Sequence, residues 1–234
     1  TLKGLLKYHQ ANNFCCTLIR KKLGEPVHGL VCHLLTRSDG KKFGKTASGA
    51  IWLDVKKTSP YQMYQYWRNT TDADVIKFLK LFTFLSLEEI VSIEKKQREN
   101  PSARFAQKIL AREFLTMIHG GKIARSVVAA SEFLFGAAIE TLSNQAIDYL
   151  IDELKTKKIK EEDLEKDFFV SEAFSKLELT NSRGEAKRLI DQGGAYVNNE
   201  KINEDRLITK SDLIKGKIAL LRAGKKRYGV IHLV

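Results

Sequence analysis

Between residues 59 and 166 apolar side chains recur about every 3.6 residues, the period of a helix that buries one face. A chain patterned this way packs as helices. Start and stop signals divide it. Thr71-x-x-Asp74 precedes Val75, Phe78, Leu79 and Phe82, and Ser86-x-x-Glu89 is a capping-box sequence ahead of Ile90, Val91 and Ile93. Pro101-Ser102 restarts a helix carrying Phe105, Ile109, Leu110, Phe114, Leu115 and Ile118, and Gly120-Gly121 ends it. Further helices are expected over 124–135 and 143–154. The run 155–166 is dense in charge and poor in apolar anchors, so it reads as a linker or an exposed helix end.

The flanks are of a different kind. Residues 18–23 read as the end of a helix with Gly24 as its stop. The apolar run 29–35 reads as a buried strand, a helix segment being the alternative. It leads into the loop 38–50, where Gly40, Gly44 and Gly49 alternate with Lys41, Lys42 and Lys45. A strand running into a glycine-rich loop is what a doubly wound α/β domain places at its ligand crevice. Ammonium groups on a mobile loop suit closure over an anion, above all a polyphosphate. Downstream, Ser182-x-x-Glu185 is a second capping-box sequence opening a helix to Asp191, which Gly193-Gly194 stops. Residues 195–202 alternate as a strand with a turn at Asn198-Asn199. Two more strands are expected over 216–221 and 228–234, around the basic turn 222–227.

The formal net charge of +12 sits at the two ends: +8 over residues 1–57, −1 over 58–170 and +5 over 171–234. Two anion-facing regions joined by a neutral folded segment are implied. In the last region Arg183 and Lys187 lie four residues apart on one helix face, Arg188 is beside them, and the helix N-terminus adds positive potential. That arrangement suits an RNA phosphate backbone better than base readout. The three cysteines, Cys15, Cys16 and Cys32, lack the spacing of a disulfide framework and point to a reducing compartment. The surrounding His9, His28 and His33 do not complete a zinc pattern, so no protein-bound metal is expected. No apolar run approaches the ~20 residues of a membrane span. The chain starts without Met and without a leader-like h-region, and is expected to be an interior fragment.

The five residues 42–46, KFGKT, resemble the KMSKS signature of class I aminoacyl-tRNA synthetases. With the following DGKKFGKTASGAIWLD and KKTSPYQMYQYWRNTTDADV blocks, they resemble the bacterial and organellar tyrosyl-tRNA synthetase family. The segment SRGEAKRLIDQGGAYVNNEKI, 182–202, resembles the RNA-binding domain first described in ribosomal small-subunit protein S-four. The resemblance spans roughly 18–234 and implies a multidomain α/β plus α plus α+β architecture. It has a remnant of a class I Rossmann-like catalytic domain with a KMSKS-type loop (1–58), an all-helical anticodon-side domain (59–166) and a small ribosomal-S-four-like RNA-binding domain (167–234).

By the same resemblance, the protein activates tyrosine with ATP and esterifies tyrosine tRNA. Lys42 and Lys45 stabilise the departing pyrophosphate, and Lys42, Phe43, Gly44, Lys45 and Thr46 bind ATP, which enters with Mg2+. Arg183, Lys187 and Arg188 bind RNA. The resemblance further implies a homodimer for the intact enzyme, no membrane, and a cytoplasmic location, with a mitochondrial or plastid matrix as the alternative. The HIGH-type signature is absent, and residues 8–17 do not align with the tyrosine-binding stretch, so this chain is expected to be inactive alone. Two other readings are a non-catalytic RNA-binding module derived from the synthetase and an RNA-modifying enzyme. The latter has no catalytic Asp in a recognisable setting.

Overall fold

The computed structural model describes residues 16–26, 28, 34–40, 51–164 and 168–234. Two units are present, Thr1–Ala50 and Ile51–Val234. In the first, residues 16–23 form helix α1. Gly24, at φ 71°, gives its N–H to the Arg20 carbonyl at 3.0 Å and ends the helix where a stop is expected. The strand expected over 29–35 falls mostly outside the described residues.

The second unit opens with α2 (Pro60–Arg68), α3 (Asp72–Phe82), α4 (Leu87–Glu99), α5 (Phe105–His119), α6 (Gly121–Leu134) and α7 (Asn144–Glu153). Side-chain chemistry sets their starts. The Ser59 hydroxyl accepts the Gln62 N–H just before Pro60, a residue with no N–H to satisfy. Ser86 and Glu89 close their box in both directions, at 3.2 and 2.8 Å. Thr71 stands at the N-cap of α3, where the sequence opens this helix, but its hydroxyl donates to the Asp74 carboxylate and caps no backbone group. Pro101-Ser102 does not start α5. It makes one 3-10 turn, and Arg104 at φ 50° breaks the helix before Phe105. The Arg104 guanidinium donates to the Arg68 and Thr70 carbonyls at 2.9 and 3.0 Å, which holds that left-handed backbone in place. Trp67 centres the helical core, its ring 4.6 to 6.0 Å from those of Phe114, Phe82 and Phe78.

A five-stranded sheet follows, in the order β1-β5-β4-β2-β3. Its strands are β1 (Lys155–Ile159), β2 (Ala195–Val197), β3 (Glu200–Lys201), β4 (Ile218–Ala223) and β5 (Arg227–Leu233), with short helices α8 (Glu161–Leu164) and α9 (Val170–Lys176) and the longer α10 (Arg183–Asp191). The hairpin β2–β3 turns on Asn198 and Asn199, at φ 51° and 69°, as its sequence predicts. The run 155–166 differs from its sequence reading: its first five residues are not a linker but strand β1, parallel to β5 with Lys157 opposite Ile231. Only Ile159 of β1 is buried. The lysines stay in solvent, and a lysine-rich strand at a sheet edge discourages pairing with another chain.

The sheet is apolar on both faces. Ala219, Leu221 and Ile231 pack with Ala173 and Phe174 of α9 and Ala186 and Ile190 of α10. Ile218, Leu220 and Val230 pack the other way, with Phe133 and Leu134 of α6 and Ile147 and Leu150 of α7. Helices α6 and α7 therefore share a core with one face of the sheet, and α9 and α10 share another with the opposite face. At its rim Arg206 grips Asp212 with two nitrogens at 2.7 and 2.6 Å. Burial works to raise the Asp212 carboxyl, but the bonds from Arg206 and Thr209 outweigh it and hold the group below its ordinary range. A carboxylate depressed in the fold stabilises above its unfolded value of about 4, and that contribution is lost as pH falls through the folded value. Asp212→Asn is expected to cost about 1.5–3 kcal/mol at neutral pH. In urea titrations the gap to wild type should narrow as the pH is lowered below about 4.

Candidate nucleic-acid interface

Helix α10 carries the three cations singled out in the C-terminal region. Ser182 caps it, its hydroxyl accepting the Glu185 N–H at 3.1 Å. The expected return bond is displaced by one residue, since the Glu185 carboxylate takes the Asn181 backbone N–H at 2.8 Å and the Asn181 amide at 2.9 Å. The backbone bond from Asn181 is the main cause holding the Glu185 carboxyl below its usual range. Ala186 and Ile190 face the core, so Arg183, Lys187 and Arg188 face solvent. The helix ends on Gly193, at φ 68°, whose N–H reaches the Ile190 carbonyl while that of Gly194 reaches Leu189. A side chain at Gly193 would also meet the flexible tip of Lys201.

The three cations are not equally available. Arg183 pairs with Glu172 of α9, and the Lys187 ammonium lies 3.7 Å from Asp205. Both pairs are solvent-facing on the cationic side, where such contacts are weak and open readily to a competing phosphate. Asp205 is already engaged by the Ser171 N–H and hydroxyl, at 2.9 and 2.7 Å. Arg188 has no carboxylate partner among the described residues; its Nε donates to the Gly184 carbonyl at 3.3 Å.

The turn between β4 and β5 joins this surface. Gly224 gives its N–H to the Gly194 carbonyl at 2.7 Å, tying the turn to the end of α10. Lys225, Lys226 and Arg227 are exposed there. Arg227 anchors on the Leu179 carbonyl at 2.6 Å, and with Arg188 it lowers the Glu185 carboxyl through its charge. Sequence reasoning noted this turn as basic but nominated none of its residues. The signal was four cations within six positions. A helix face plus a basic turn presents cations to an extended polyanion and offers no directed set of base-reading groups. Lys42, Phe43, Gly44, Lys45 and Thr46 of the glycine-rich loop lie outside the described residues.

Residues 10–136, more than half of the chain, match the family model described as tRNA synthetases class I (W and Y). The chain belongs to this family. Residues 150–231 of this class I synthetase chain match a second model, the tyrosine--tRNA ligase SYY-like C-terminal domain, which takes in β1, α10 and the basic turn. Among curated proteins it is similar to the tyrosine--tRNA ligase of Opitutus terrae, 43% identical over 93% of this chain and 52% of the relative. It is similar also to that of Roseiflexus castenholzii, 40% identical over the same shares. The tyrosine--tRNA ligase of Streptomyces avermitilis is 43% identical over 88% of this chain and 48% of the relative. The synthetase chain thus spans about half the length of the curated relatives it matches. No described helix is long and apolar enough to cross a membrane.

Proposed function

We propose that this chain is the part of a tyrosine–tRNA ligase that closes over ATP and holds the tRNA. One observation carries the reading: a class I synthetase match over 10–136 and a tyrosine--tRNA ligase C-terminal match over 150–231 occur in one chain, in that order. In the reaction, the tyrosine carboxylate attacks the α-phosphate of ATP, brought in with Mg2+. Tyrosyl-adenylate forms, pyrophosphate leaves, and the tyrosyl group passes to the terminal adenosine of tyrosine tRNA. Lys42 and Lys45 stabilise the charge that builds on the departing pyrophosphate, on a loop of Lys42, Phe43, Gly44, Lys45 and Thr46 that closes in the transition state.

We read 1–58 as belonging to the Rossmann-like catalytic domain with its KMSKS-type loop. The helices from 59 onward form the anticodon-side domain. The last part is a ribosomal-S-four-like module, extended back to residue 155 by strand β1. The 234 residues alone do not run the reaction, and the intact enzyme works as a homodimer in the cytoplasm or an organelle matrix.

Arg183, Lys187 and Arg188 contact the RNA backbone in this reading, with Lys225 and Lys226 beside them. Replacing all three helix cations with glutamine should weaken tRNA binding. It should also flatten the plot of log affinity against log salt by up to about 2–3 units, since each lost phosphate contact removes about 0.7–0.9. Fluorescence anisotropy with labelled tRNA at several salt concentrations measures both. An unchanged slope removes α10 from the interface.

A further inference from the structure

On the sheet face turned away from α10, three side chains line up across three strands: Tyr228 on β5, Arg222 on β4 and Tyr196 on β2. They are directly opposed in register, Arg222 against Tyr228 and Tyr196 against Arg222, so they share one face. The Arg222 guanidinium lies over the Tyr196 ring, 3.8 Å from its centroid. That guanidinium makes no hydrogen bond or ion pair with any described residue, and its Nε is buried without an acceptor. A half-buried arginine is ordinarily paired, because leaving its donors unmet is costly.

A second stack of the same kind stands next to it. Tyr228 donates its hydroxyl to the Leu134 carbonyl at 2.8 Å, at the end of α6. The next residue, Phe135, is 68% exposed and carries the Arg68 guanidinium 4.1 Å from its ring centroid. The hydroxyl of Tyr228 and the ring of Phe135 thus meet the chain at consecutive residues, Leu134 and Phe135. Phe135 is exposed, and Tyr196, Arg222 and Tyr228 are half-buried; aromatic rings set beside guanidinium groups are a surface on which unpaired bases stack, with the cations taking the adjoining phosphates.

We propose that the Tyr228–Arg222–Tyr196 row and the neighbouring Phe135–Arg68 stack form a platform for unpaired nucleotides of an RNA, with Arg222 as its anion-binding centre. The proposal rests on the reading of this chain as an RNA-binding part of a synthetase. It divides the labour between the sheet's two faces: α10 and the basic turn hold backbone, and this row holds splayed bases.

The test compares two probes on the full chain: a labelled single-stranded RNA of about eight nucleotides and a blunt RNA duplex of about 16 base pairs. Tyr196→Ala and Arg222→Gln should each weaken the single strand about 5- to 100-fold, with duplex affinity nearly unchanged. Tyr196→Phe keeps the ring and should bind like wild type, whereas Arg222→Lys keeps the charge but not the plane and should not. Wild-type-like melting of Tyr196→Phe and Arg222→Lys guards against misfolding as the cause. Unchanged single-strand affinity in both Tyr196→Ala and Arg222→Gln, or an equal loss for the duplex, overturns the platform alone. A wild-type chain that binds neither probe overturns the platform and the RNA-binding reading together.

Discussion

Lys45→Ala is expected to slow tyrosyl-adenylate formation by about 10²–10³-fold, or about 2.7–4 kcal/mol of transition-state stabilisation. The enzyme to use is this chain joined to the N-terminal catalytic half of one of its tyrosine--tRNA ligase relatives. Tyrosine-dependent ATP–pyrophosphate exchange reports the step. In the proposed role the effect is large because the ammonium would meet charge that exists only as pyrophosphate departs, so its loss would raise the barrier without weakening the ground state equally. Tyrosine tRNA affinity should stay nearly unchanged, since the proposed RNA contacts on α10 belong to a different part of the chain. Lys42→Ala should act in the same direction, and Lys41→Ala, outside the five-residue signature, should act least. Equal losses in exchange and in tRNA binding would sink the role given to Lys45.

Phe133→Ala should lower stability by about 3–5 kcal/mol, a large share of the total for a folded protein. Phe133 is fully buried, and it lies in the core that α6 and α7 share with Ile218, Leu220 and Val230 of the sheet. Its carbonyl also receives the Asn199 amide at 2.7 Å. The cavity therefore opens at the joint between the helices and the sheet. Trp67 fluorescence follows the helical core in urea, and hydrogen exchange of the β4 amides follows the sheet. Both should lose the same increment. A sheet that keeps its protection while the helices melt early would show that the shared core does not couple them.

The helices were legible because their starts and stops are local. Ser59, Ser86 and Ser143 each cap a backbone N–H within three residues, and the apolar period does the rest. Strand β1 was not, because its partner in register lies in β5, far along the chain, and a run of lysines is as compatible with a sheet edge as with a linker. The shared core left a signal that was underused. Ile218, Ala219, Leu220 and Leu221 are consecutive and all buried, and an unbroken apolar run marks a strand covered on both faces. Arg183, Lys187 and Arg188 were nominated by helical spacing, and the structure places them on the solvent side of α10. Glu172 and Asp205, which pair with two of them, come from segments that no local pattern brings near. Arg222 escaped notice because its isolation is a property of the folded sheet, visible only once Tyr196 and Tyr228 stand on either side.

The most direct test of the account is the affinity of this chain for tyrosine tRNA against an unrelated tRNA at physiological salt, where nonspecific phosphate binding is screened. The account predicts a clear preference for tyrosine tRNA, held by the helices and the C-terminal sheet without catalysis. Equal binding to both, falling steeply with salt, would mean that the +12 charge acts on RNA without discrimination and would contradict it.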